Sequence, residues 1–125
     1  MKQIIHTELA PKAVGPYSQA VMTKDMIYTS GQIPIDPAQG KIVAETIEAQ
    51  TEQVMKNLKA VLATAGVGMD RIVKTTCYLA DIADFAAFNG VYAQYFLENP
   101  PARSCFQVAA LPMGAKVEVE VIAVR

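Results

Sequence analysis

The chain is 125 residues long, 52% of them hydrophobic and 18% charged, with 11 Lys and Arg against 12 Asp and Glu and a net charge of −1. That length fits one domain, and that apolar content excludes a disordered chain, which needs few apolar residues and a large net charge. No two cationic residues are adjacent, so the basic stripe of a nucleic-acid binder is missing and nucleic acid is not the expected partner.

The first third reads as β-structure broken by turns. Pro11 and Gly15-Pro16 punctuate an extended arm, and Thr23-Lys24-Asp25 separates two short apolar runs, Tyr17 to Met22 and Met26 to Ser30, as a hairpin. Pro34, Asp36-Pro37 and Gly40 mark a long loop from Gln32 to about Val43. Ile47, Val54, Leu58, Val61, Leu62 and Ala65 then recur at helical spacing, with Thr46 as N-cap and Gly66 as stop. Val73 to Leu79 is a β-rich run. Asp84 opens a second helix with Phe85, Phe88, Tyr92, Tyr95 and Phe96 on one stripe, and Asn99-Pro100-Pro101 ends it. Two strands close the chain, at about 103–108 and 116–124. The order β-β-α-β-α-β-β after an N-terminal β arm predicts an α+β sandwich of two layers, a mixed six-stranded sheet with two helices on one face.

Alternation in the last strand places Val117, Val119, Val121 and Ala123 on one side and Glu118, Glu120, Ile122 and Val124 on the other. Both sides carry apolar residues, while two helices cover only one. The helix-free side is therefore expected to pack against further copies of the chain in a closed homo-oligomeric ring.

Several chemistries drop out by inventory. Cys77 and Cys105 are the two cysteines and His6 the one histidine. No CxxC pair and no paired histidines leave the common zinc motifs without ligands. His6 sits near a terminus, a poor place for the base of a nucleophilic pair. Gly66-Val67-Gly68 follows a helical pattern rather than a strand, and no Walker lysine follows a glycine-rich loop. No metal or cofactor is expected. Met1 to His6 lacks a signal-peptide core, and no apolar run approaches the roughly 18 residues of a membrane span. The thiols are read as reduced, and the chain as a cytoplasmic protein without a membrane partner.

The densest polar constellation is Pro101-Ala102-Arg103-Ser104-Cys105 together with Glu118 and Glu120. A guanidinium is a planar fork of donors suited to a carboxylate, and a nearby carboxylate orients or deprotonates a water. Such a set suits the hydration of a small anionic electrophile. Each member also has a plainer role: Arg and Glu as an ion pair, Cys105 as a small buried hydrophobe, Tyr17 as a core aromatic, Ser30-Gly31 as a strand-end turn, Asn89 as a solvated polar residue.

The segments Gly15-Pro16-Tyr17-Ser18-Gln19, Thr29-Ser30-Gly31-Gln32-Ile33-Pro34, Gln53-Val54 through Asn57-Leu58, Val73-Lys74-Thr75-Thr76, Pro101-Ala102-Arg103-Ser104 and Val117-Glu118-Val119-Glu120 occur in that order. In this the chain, from about residue 3 to residue 125, resembles the Rid family of imine deaminases, also called the YjgF or L-PSP translation-inhibitor-like family, and its RidA branch. The resemblance implies a chorismate-mutase-like fold and a homotrimer with a small 2-imino or 2-keto acid bound at each subunit interface. It implies hydrolysis of enamine/imine products of pyridoxal-phosphate dehydratases, 2-iminobutanoate and 2-iminopropanoate, to 2-keto acids and ammonia, with no cofactor of the protein's own. Carried over by position, Arg103 binds the substrate carboxylate and Glu118 positions the attacking water. Tyr17, Ser30, the Gly31 amide and Asn89 line the cleft, with Cys105 beside the carboxylate. Gln107, Ala110 and Met113 stand where the branch usually has an acidic residue, an arginine and a lysine, and the loop before Pro101 is short, so the charge at the cleft rim differs. Two other readings accompany the enzymatic one: a keto-acid-binding regulator, and the RNA cleavage or translation inhibition attached to some relatives.

Overall fold

In a computed structural model, which describes residues 1–125, six strands form one sheet: β1 (Gln3–Ile5), β2 (Ala20–Met22), β3 (Met26–Thr29), β6 (Ile72–Leu79), β7 (Ala102–Gln107) and β8 (Val117–Val124). Their order is β1-β2-β3-β8-β6-β7, antiparallel throughout except for the parallel pair β6 and β7. Two helices, α1 (Ile47–Thr64) and α2 (Phe85–Tyr92), supply the second layer. The expected α+β sandwich with a mixed six-stranded sheet is the observed architecture.

Helix α1 forms where the apolar spacing places it. Thr46 Oγ1 accepts from the Ala49 N–H at 3.1 Å, capping an otherwise unpaired donor. Gly66, at φ +89°, turns the chain after the last turn, and the Val67 N–H reaches the Leu62 carbonyl at 3.1 Å. Val54, Met55, Leu58, Val61 and Leu62 of α1 are fully buried, and they pack with Phe88 of α2 and with Val117, Val119, Val121 and Ala123 of β8 in one core.

Three parts depart from the sequence reading. The segment 32–43 is not all loop: β4 (Ile35–Asp36) and β5 (Lys41–Ile42) pair as a small separate hairpin. It closes on Gly40 at φ +69°, a conformation that favours glycine. Strand β2 starts at Ala20, because Gly15 to Tyr17 is spent on a tight turn in which the Tyr17 N–H donates to the Gly15 carbonyl at 2.8 Å. The second helix ends at Tyr92, not near Asn99, and tightens into a single 3₁₀ turn, Ala93–Tyr95. Asn99 precedes a proline, which disfavours the α region there, and takes a positive φ of 49°.

Buried amides pin the irregular segments to this frame. The Gln19 side chain, 2% exposed, accepts from the Thr7 N–H at 2.7 Å and donates to the Thr7 and Pro11 carbonyls, holding the N-terminal arm against β2. Asn57 of α1 donates to the Ile33 and Ile35 carbonyls and accepts from Gln53. Gln50 donates to the Ala44 carbonyl and accepts from the Lys116 N–H. No helix is long and apolar enough to cross a membrane.

Phe88 is the largest fully buried side chain, and it joins α2 to the core. Phe88→Ala is expected to cost about 3–5 kcal/mol, measured by urea denaturation at fixed protein concentration.

Candidate functional site

The pleat sorts the candidate residues into two groups. In the parallel pair Arg103 lies opposite Thr75 and Cys105 opposite Cys77, while in the antiparallel pair Thr75 lies opposite Val121 and Tyr78 opposite Glu118. Directly paired residues project to the same side. Arg103 and Cys105 therefore share the helix-covered side with Thr75, Cys77 and Val121. Glu118 and Glu120 share the helix-free side with Thr76 and Tyr78. Within one chain the arginine and the glutamate are on opposite faces of the sheet.

On the helix side, Arg103 is held from α2. Its Nη1 donates to Asn89 Oδ1 at 2.7 Å, and its Cζ lies 4.8 Å from the Tyr92 ring centroid and 5.5 Å from that of Phe85. Phe85, Asn89 and Tyr92 are spaced i, i+4, i+7, so they present one face of α2 to the guanidinium. Two cation–π contacts and one charge-assisted bond restrain the fork while leaving donors for a ligand. A hollow of about 370 Å³ opens beside it, lined by Arg103, Asn89, Tyr92, Ala93, Phe96, Pro100 and Pro101. Cys105 is half-buried against the core. Burial raises its pKa and the Arg103 charge opposes this. Cys77 is fully buried, and desolvation pushes its thiol up to about 12. Both are poor nucleophiles in this setting, since the thiolate is the reactive form.

On the other side, Tyr17, Ser30, Gly31 and Glu118 come together around a second hollow of about 500 Å³, whose walls include Lys12, Val14, Ile33, Ile35, Pro112 and Met113. Ser30 Oγ donates to the Ser18 carbonyl at 2.6 Å. The Ser30 and Gln32 N–H groups are spent on the carbonyls of Gln19 and Val119, and the Gly31 N–H between them is not. A Cβ at Gly31 would lie 2.0 Å from Glu118 Oε2, so only glycine lets the carboxylate sit against this backbone. Glu120 is engaged by Tyr78, whose hydroxyl donates to it at 2.7 Å and whose pKa is thereby held up at about 12. Glu118 is half-buried, and burial first, then the Glu120 charge, raises its pKa. Both effects favour the neutral carboxyl over the carboxylate.

The structure thus brings Arg103, Asn89 and Cys105 together, and Tyr17, Ser30, Gly31 and Glu118 together, and keeps the two groups apart. Tyr17 is not a core aromatic but 49% exposed. Asn89 is a partner of Arg103, not a solvated residue. Phe85 and Tyr92 share the predicted stripe of α2, and both lie against the arginine, Tyr92 as a buried member of the core and Phe85 as a partly exposed ring. The signal was an asparagine set among aromatics at helical spacing. No group of three or more His, Cys, Asp or Glu converges to hold a metal ion.

Residues 7–125 match the family model described as Endoribonuclease L-PSP. The chain belongs to this family. It is the Rid family, and the fold is the chorismate-mutase-like one expected. The chain is 49% identical over 122 residues to Reactive Intermediate Deaminase A, chloroplastic, of Arabidopsis thaliana, covering 98% of this chain and 65% of the plant protein, just under two thirds of its length. It is 46% identical over 125 residues to the human protein named 2-iminobutanoate/2-iminopropanoate deaminase, covering 100% of this chain and 91% of that one. Names within the family vary: Protein DfrA of Myxococcus xanthus is 51% identical over 125 residues, 98% of this chain and 95% of that protein. The crystal structure of the Rid-family protein YyfA from Yersinia pestis superposes with a TM-score of 0.97 at 50% identity over the whole of both chains.

Two outcomes follow from the geometry of this Rid-family chain. Gly31→Ala forces the Glu118 carboxylate aside, and a crystal structure of the variant is expected to show that side chain in a different rotamer. Because burial raises the folded-state pKa of Glu118 above its unfolded value, ionisation weakens the fold. That penalty is absent below the unfolded value and grows as pH rises through the folded one. Glu118→Gln is therefore expected to raise Tm at about pH 7 and to leave it unchanged near about pH 3, as read by calorimetry.

Proposed function

We propose that the protein is an imine deaminase that hydrolyses small 2-imino acids, 2-iminobutanoate and 2-iminopropanoate, to 2-keto acids and ammonia, at sites shared by neighbouring copies in a homotrimer. The observation that carries the reading is the split of the candidate residues: a restrained guanidinium on one face of the sheet, and a glycine-backed, half-buried carboxylate on the other. Each hollow holds half of what imine hydration needs, and a second copy supplies the complement.

The helix-free face supports assembly. Ile4, Val21, Tyr28 and Ile122 lie in register across β1, β2, β3 and β8, with Val124 on the same side and Phe106 on that side of the far edge strand β7. Ile4, Tyr28 and Phe106 are among the exposed large apolar side chains. A ring of three copies takes this face out of water and leaves no sheet edge reading solvent on the inside. The clefts between copies then join the Arg103, Asn89 and Cys105 edge of one to the Tyr17, Ser30, Gly31 and Glu118 hollow of the next.

The chemistry asks little of the protein. The protonated imine carbon is already electrophilic, so catalysis consists mainly of holding the anion and orienting a water. Arg103 grips the carboxylate with two parallel N–H donors. The unspent Gly31 N–H adds a third. Glu118 takes a proton from the water as its oxygen bonds to the protonated imine carbon, giving a neutral carbinolamine, and returns that proton to nitrogen. As the C–N bond breaks and the C=O forms, Glu118 takes the hydroxyl proton and passes it to the departing ammonia, so protonated imine and water become keto acid and ammonium. The neutral thiol of Cys105 packs beside the carboxylate and forms no covalent bond.

A pyridoxal-phosphate dehydratase that releases imine provides the assay. Added protein is expected to speed keto-acid formation, and native mass spectrometry to give three copies per particle. Arg103→Ala is expected to lower kcat/KM by about a hundredfold or more, the loss of two charge-assisted bonds. Glu118→Gln is expected to keep keto-acid binding and lose turnover. Equal rates for wild type and Arg103→Ala, or a Glu118→Gln variant that turns over normally, would overturn the proposal, and a wild-type protein that binds keto acid without speeding its formation would point to a ligand-binding regulator instead.

A further inference from the structure

A fully buried polar pair lies directly beneath Arg103 and has no part in the chemistry above. Thr75 Oγ1 and Tyr92 Oη are 2.8 Å apart, with Thr75 0% and Tyr92 6% exposed. The surrounding side chains, Cys77, Val119, Val121 and Phe88, belong to the apolar core. A valine at 75 and a phenylalanine at 92 have nearly the same shapes and would leave no polar group to satisfy, and replacing both partners of a buried bond in this way is close to neutral for stability. What an apolar pair cannot supply is direction.

The direction is imposed on the arginine. Thr75 is the ladder partner of Arg103, so its hydroxyl is fixed relative to the arginine backbone. Tyr92 bonds that hydroxyl, and its ring face lies 4.8 Å from the Arg103 Cζ. The three residues close a triangle: backbone register from Arg103 to Thr75, hydrogen bond from Thr75 to Tyr92, ring stack from Tyr92 back to the guanidinium. Phe88 and Phe96 pack on Tyr92 at centroid distances of 5.4 and 4.8 Å, but flat apolar contacts alone let a ring tilt about its χ2 axis. Cys77 Sγ donates weakly to Thr75 Oγ1 at 3.9 Å, and either hydroxyl can be the donor in the Thr75–Tyr92 bond.

We infer that the Thr75–Tyr92 pair is a positioning device for Arg103, setting the plane of the guanidinium so that its fork meets the substrate carboxylate edge-on. The inference rests on the reading of Arg103 as the carboxylate anchor. Neither Thr75 nor Tyr92 touches the reacting atoms. Their effect falls on anion binding, which is felt by substrate and transition state alike, so it appears in KM rather than in kcat.

Tyr92→Phe keeps the ring and removes the hydroxyl, and Thr75→Val removes its partner at constant shape. Each is expected to raise KM for the imine, and the inhibition constant of 2-ketobutanoate, about three- to tenfold, with kcat within about twofold. The double variant is expected to match the worse single one, because both delete the same bond, and Thr75→Ser to restore wild-type values. A second readout needs no turnover: the Arg103 Nε–H signal in a ¹⁵N spectrum is expected to broaden or shift in Tyr92→Phe. An unchanged Arg103 signal, or an unchanged KM and inhibition constant accompanied only by a lower Tm, overturns the inference. An Arg103→Ala variant with wild-type keto-acid affinity would instead overturn the anchor reading, while the Arg103 signal in Tyr92→Phe still reports on the positioning.

Discussion

The alternation of side chains along the pleated strands β6, β7 and β8 is the constraint on which everything else rests. Seven paired positions between β6 and β8, and six between β6 and β7, fix which residues share a face. A slip of one residue in either ladder would move Arg103 or Glu118 to the wrong side. That register is protected because one side of β8, Val117, Val119, Val121 and Ala123, is buried against α1 and α2. The hydrophobic core therefore enforces the separation of the two charged groups, although neither belongs to it.

That separation has electrostatic consequences. Were Arg103 and Glu118 in contact, each would neutralise the other and neither would be available to a ligand. Kept on opposite faces, Arg103 is shaped by an amide and two aromatic rings, and Glu118 by burial and a second carboxylate. The first setting leaves a cation seeking an anion. The second leaves a carboxyl that is easier to protonate than most. Tyr78 stabilises Glu120 by hydrogen bonding, so only one of the two glutamates is left open to the hollow. The buried amides Gln19 and Asn57 complete the picture by holding the arm and the 32–36 segment as the walls of that hollow.

Much of the fold was legible because its signals are local. The Thr46 cap, the helical spacing of α1, the hairpin at Thr23 to Asp25 and the alternation of β8 all depend on residues within a few positions of one another. What escaped was decided by contacts distant in sequence. The β4–β5 hairpin has only two residues per strand, too few for a period-two pattern, and is held by Asn57 more than twenty residues away. The early end of α2 could not be read from Tyr95 and Phe96, which continue the apolar stripe past the last α-helical turn. The contact of Phe85 and Tyr92 with Arg103 escaped for a related reason: a stripe records which residues share a helix face, not what they meet there.

The candidate site divides along the same line. Residue types and spacing alone marked the arginine and the paired glutamates as the polar residues worth attention, and determined that strand alternation would put Glu118 and Glu120 together, whereas the Ser30-Gly31 turn entered the site only through the family resemblance. Which faces Arg103 and Glu118 occupy relative to each other was decided only by tertiary structure. The face of a strand is defined within that strand by its own alternation, whereas the relation between strands 103–107 and 117–124 exists only through β6, which pairs with one in parallel and the other antiparallel. No local pattern encodes that relation, because it is set by the packing of both helices onto a sheet whose neighbours are far apart in the chain.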